Sequence, residues 1–67
     1  MELNFLLLKM NQTRFECGLP LHDELHKVEL TYGPGLKVVT YVNCISEVPK
    51  EAQRIKILDS YLLGGDL

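Results

Sequence analysis

The 67-residue chain is 46% hydrophobic and 24% charged, with seven Lys and Arg against nine Asp and Glu and a net charge of −2. This apolar fraction excludes a disordered acidic tail, and the length excludes more than one domain. The near balance of charge argues against a general nucleic-acid clamp, because such domains carry a clear excess of basic residues. We therefore expect one small domain, residues 1–67, with a marginal core and little room for an enzyme cleft.

Apolar runs in the chain are too short for a transmembrane helix, which needs about 20 apolar residues. The longest has four residues, Phe5 and the leucines at 6–8, and Glu2 stands where a signal peptide would carry a positive charge. Cys17 and Cys44 are too few for the disulfide framework of a small secreted domain. We therefore expect a cytoplasmic protein that does not bind a membrane.

The N-terminal segment, residues 2–16, allows two interpretations. As a strand pair, it alternates on either side of a turn at Asn11 and Gln12. As a helix, it is rich in good helix formers, and an apolar stripe runs through Leu3, Leu6, Leu7 and Met10. We prefer the strand pair and keep the helix as the alternative. The residues that follow, 18–26, are predicted to form a loop or one short helical turn.

Residues 27–44 predict a β-hairpin. The first half, Lys27–Tyr32, alternates polar and apolar side chains, as a strand with one buried face does. The second half, Leu36–Cys44, is rich in β-branched and aromatic residues. Between them, Pro34 presets φ at the second position of a type II turn, and Gly35 permits the positive φ at the third position.

Residues 49–63 predict a C-terminal α-helix. Pro49 suits the first helical turn, and Gly64 and Gly65 would end the helix. An apolar stripe at helical spacing falls on Ala52, Ile55, Leu58 and Leu62. The predicted fold class is therefore α+β, with a mostly antiparallel sheet of about four strands packed by one C-terminal helix.

One group of residues has metal-binding or thiol chemistry: Cys17, His22, His26 and Cys44. Their spacing matches no common zinc motif. No CxxC pair is present, and the two histidines lack the neighbouring glutamate that a zinc-protease helix requires. We find no catalytic constellation and no cofactor loop. We expect no metal, no cofactor and no enzymatic activity, and keep a zinc- or thiol-dependent site at these four residues as a second alternative.

Two surfaces of the expected fold favour protein binding. On a second stripe of the predicted helix, basic and aromatic side chains surround an exposed aliphatic one, as they do in protein interfaces. An equally good interpretation is that the apolar side chains of this stripe cover the edge of the core. It consists of Lys50, Arg54, Ile57 and Tyr61. On the sheet, Val39 and Tyr41 would face away from the helix, which covers only one face. We expect these two residues to mediate self-association as a two-fold homodimer.

The expected function is therefore that of a small, non-enzymatic regulator, inhibitor or accessory subunit that binds another protein and forms a homodimer. The alternative is a small nucleic-acid-binding regulator that uses a patch at Lys50 and Arg54. A dimer doubles any basic patch, so a net charge of −2 per chain does not forbid this alternative.

Overall fold

The computed structural model describes residues 2–63, which form one helix, a three-stranded antiparallel sheet and a short 3-10 helix. The α+β class is confirmed. The predicted number of strands and the C-terminal position of the helix are wrong, because the helix comes first in the chain. In chain order the elements are α1 (Leu3–Glu16), β1 (Glu24–Gly33), β2 (Leu36–Val42), the 3-10 helix (Ile45–Glu47) and β3 (Arg54–Leu62).

The strand order is β2-β1-β3, and both outer strands run antiparallel to β1. β2 and β3 are therefore parallel to each other, and the connection between them, residues 43–53, must cross from one edge of the sheet to the other. This connection, which we call the linker, packs on one face of β1, and α1 packs on the opposite face. We name the two sides of the sheet the linker face and the helix face.

β1 contributes side chains to a hydrophobic cluster on each face. On the linker face, Val28 and Leu30 pack with Val42 and Val48, with Tyr32 and Ala52 at the margin. On the helix face, Leu25 packs with Leu3 and Leu7 of α1. Three partly buried residues lie at the margin of this cluster: Leu6, Met10 and Tyr61. The core thus consists of two small clusters separated by the central strand.

The N-terminal segment is a helix, so the preferred strand pair was wrong and the alternative was right. Leu3 and Leu7 lie one turn apart, and both are buried against Leu25. The apolar pattern of this segment does not decide between the two interpretations, because it contains both an alternating set and a set at helical spacing. The good helix formers and the buried stripe together favour the helix.

The central hairpin is confirmed. Thr31 pairs with Lys37 and Gly33 with Leu36, so Pro34 and Gly35 form the two-residue connection. Gly35 has φ +74°, as the third position of a type II turn requires.

Replacing Gly35 with alanine is expected to destabilise the fold by about 1–2 kcal/mol, because a Cβ is strained at positive φ. Gly33→Ala is the matched control, since Gly33 does not have a positive φ and an added Cβ would meet no atom within 4 Å. Urea denaturation of both variants measures the difference. Equal stabilities would contradict the turn assignment.

The helix predicted over residues 49–63 is wrong, because Arg54–Leu62 form strand β3. β3 contains a bulge: Val28 pairs with Ile57 and Lys27 with Asp59, which leaves Leu58 as an extra residue. This extra residue interrupts the alternation of the strand and gives the apolar residues a helical spacing. The predicted helix end at Gly64 and Gly65 lies outside the described residues.

Val39 and Tyr41 lie opposite Glu29 and Lys27, on the helix face. The C-terminal helix from which they were expected to face away is absent from the described part of the chain, and the helix on their side of the sheet is α1. α1 covers only the end of this face, where Leu25 is buried, and leaves Val39 and Tyr41 50% and 40% exposed.

Candidate functional site

The outer edge of β2 is an unprotected sheet edge. β2 pairs with β1 on one side, and no further strand among residues 2–63 lies on its other side. Natural edge strands are usually protected by charges, proline or bulges. β2 contains no proline and no acidic residue, and Lys37 is its single charge. Its large apolar side chains, apart from the buried Val42, are exposed: Leu36, Val38, Val39 and Tyr41.

The outer edge of β3 is protected in the ways that β2 lacks. Arg54, Lys56 and Asp59 distribute charge along the strand. The bulge at Leu58 interrupts its regular pairing geometry. Of the two sheet edges, β2 is therefore the better template for another strand.

The linker covers only part of the apolar linker face. By strand register, Val38 and Ile55 flank Leu30, and Ile57 lies beside Val28. Leu30 and Val28 are buried under the linker, whereas the outer three side chains are exposed. Apolar surface therefore remains on both sides of the linker.

A second apolar surface lies on the outside of α1. Phe5, Leu8 and Phe15 fall within one stripe at helical spacing and are 50%, 64% and 75% exposed. In a single copy of the chain, α1 therefore presents three large apolar side chains to solvent.

His26 and Ser60 form a cross-strand pair that the sequence did not suggest. The His26 Nδ1 and Ser60 Oγ atoms are 2.7 Å apart, and Glu24 Oε2 lies 3.6 Å from His26 Nε2. Serine, histidine and carboxylate occur together in hydrolases, but the distance to Glu24 exceeds that of a hydrogen bond. The Ser60 N–H donates to Asp59 Oδ1, so it is not free to stabilise an oxyanion. We interpret this pair as a side-chain hydrogen bond that stabilises the pairing of β1 with β3.

The four predicted metal or thiol residues do not converge. Cys17 follows α1 and Cys44 follows β2, and both are exposed and free of disulfides. His26 is engaged by Ser60. Within residues 2–63, no three His, Cys, Asp or Glu side chains lie close enough together to bind a metal ion.

The four residues predicted to bind a partner do not form one surface, because the helix that would align them is absent. Lys50 lies in the linker. Arg54 and Tyr61 lie on the helix face, opposite Thr31 and Leu25, whereas Ile57 lies on the linker face. A binding role for each of them stays a prediction. Val39 and Tyr41, by contrast, do share one exposed surface on β2.

The part of the chain that the structure describes contains no helix with the length and apolar character needed to cross a bilayer. Comparisons with protein-family models, curated proteins and solved structures found no match.

Proposed function

We propose that the chain is a non-enzymatic, protein-binding regulator or accessory subunit that forms a homodimer through β2. The β2 strands of two copies pair antiparallel and join their sheets into one of six strands. The observation that carries this proposal is the outer edge of β2, which has exposed apolar side chains and a single charge. The exposed apolar residues on the linker face and on α1 support association more generally.

The sequence of β2 suits one register of pairing. A two-fold axis at Val39 pairs all seven residues of the strand, whereas an axis at a neighbouring residue leaves one end unpaired. In this register no charge meets a like charge. Lys37 lies opposite the partner's Tyr41, where ammonium and aromatic ring attract each other.

Charge substitutions at two β2 positions are expected to have opposite outcomes. Val39→Glu brings two carboxylates together at the two-fold axis, so this variant is expected to be monomeric. Tyr41→Glu places a carboxylate opposite the partner's Lys37, so this variant stays dimeric, like the unmodified chain. Sedimentation velocity at tens of micromolar measures all three, and circular dichroism verifies their fold.

Three results would contradict the proposed dimer. The unmodified chain could sediment as a monomer, or both glutamate variants could dissociate equally, which would indicate burial of a face and no strand pairing. Dissociation by Leu8→Glu on α1, with Val39→Glu still dimeric, would instead place the interface on the helix.

A further inference from the structure

Charge is unevenly distributed over the sheet. Register places four of the seven basic residues on the helix face with two of the nine acidic ones, Glu29 and Asp59. This leaves three basic and seven acidic residues for the rest of the sequence. The four basic residues are Lys27, Lys37, Arg54 and Lys56. The net charge of −2 therefore conceals one face with a positive excess.

Three of these four basic side chains, together with Glu29, line a depression near the hairpin turn. Lys37 and Arg54 flank Thr31 in one cross-strand row, about 10 Å apart by the usual strand spacing. Lys56 lies opposite Glu29 in the next row. These residues line a depression of ≈ 630 Å³. Within residues 2–63, no Lys or Arg nitrogen lies within 4.0 Å of a carboxylate oxygen, so these cations are available to an anionic ligand.

An exposed aromatic ring lies on the same face. Tyr41 is four residues along β2 from Lys37, which corresponds to about 13 Å. Proteins that bind single-stranded nucleic acid combine a basic surface for the phosphates with aromatic rings on which bases stack. A duplex is a poorer match, since its bases are already stacked on each other and are not free to stack on the ring.

We infer that the helix face binds single-stranded nucleic acid. Phosphates contact Lys37, Arg54 and Lys56, and one base stacks on Tyr41. Each copy carries the complete surface, so this inference does not depend on the proposed dimer. In the proposed dimer, Lys37 lies beside the partner's Tyr41, and the two surfaces become continuous.

Fluorescence anisotropy with labelled oligothymidylate and oligouridylate tests the inference, and binding of either oligomer supports it. Three phosphate contacts predict a slope of log K against log salt of about −2. Arg54→Glu is expected to weaken binding at least about tenfold at low salt, because it reverses a phosphate-binding charge. Lys50→Glu, the same charge change in the linker, is expected to leave binding unchanged. Both variants preserve β2, so dimer formation does not affect the comparison.

Tyr41→Ala separates base stacking from general attraction to polyanions. It is expected to weaken binding of the oligomers about tenfold and to leave binding of heparin unchanged. Three outcomes would overturn the inference: no binding at low salt, equal losses in Arg54→Glu and Lys50→Glu, or full affinity in Tyr41→Ala.

Discussion

Leu25→Ala is expected to unfold a large fraction of the protein. Leu25 is fully buried and is the β1 residue that packs against Leu3 and Leu7 of α1. Removing a buried leucine side chain costs about 2–5 kcal/mol, because the cavity does not close completely. A domain of this size rarely has more than about 3–5 kcal/mol of total stability. One substitution can therefore remove most of the free energy that favours the folded state.

Urea denaturation followed by circular dichroism measures this effect. Leu21→Ala is the matched control, because Leu21 is 51% exposed in the loop before β1. It should change the free energy of unfolding by less than about 0.5 kcal/mol. Similar losses in the two variants would show that α1 does not pack on β1 as described.

Asn11→Ala is expected to destabilise the fold by about 2–4 kcal/mol, because it removes two hydrogen bonds and leaves two backbone groups without partners. Asn11 is the one buried polar residue among those described, with 6% exposure. Its Nδ2 donates to the His22 carbonyl and its Oδ1 accepts from the His22 N–H, both at 2.8 Å. The side chain thus ties α1 to the loop that leads into β1.

Thermal denaturation of Asn11→Ala should be compared with that of Gln12→Ala. Gln12 is the exposed neighbour on the same helix, and alanine is the better helix former, so the control should lose no stability. Asn11→Asp keeps an acceptor for the His22 N–H but loses the donor, so its stability should be intermediate. If Asn11→Ala were as stable as the control, the described contact with His22 would be absent.

Local chemistry made the hairpin predictable. Pro34 and Gly35 suit a type II turn without reference to any distant residue, and the alternation from Lys27 to Tyr32 indicates which side chains are buried. Val28 and Leu30 are indeed buried on one face, as this alternation requires. The N-terminal segment lacked such a signal. The segment is a helix whose leucines pack against Leu25, and this residue lies outside the segment.

The error at the C-terminal segment has a definite physical cause. Ile55 and Ile57 alternate with basic residues as strand residues do, but the bulge adds Leu58 and shifts the later residues by one position. Alternation and helical spacing then both fit the pattern. Pairing with β1 decides between them, and this long-range contact is not visible in a local window.

Of the candidate surfaces, the shared side of Val39 and Tyr41 could be predicted from the sequence and the basic face could not. Strand parity places the two β2 residues on one side of the sheet. The basic face requires the register of three strands, because Lys37 is on β2 whereas Arg54 and Lys56 are on β3. The helix predicted over residues 49–63 would instead place Arg54 beside Lys50 and away from the other two cations.

Because the linker crosses the sheet, the chain segments that join β1 to its two neighbouring strands differ greatly in length. A two-residue turn closes the β1–β2 hairpin, whereas the pairing of Thr31 with Arg54 closes a connection of 22 residues, 32–53. By loop-closure entropy the longer connection costs about 2 kcal/mol more. Detachment of β3 therefore recovers more chain entropy than detachment of β2 does. Detachment of β3 would give β1 a free edge, at which a strand of another copy could pair.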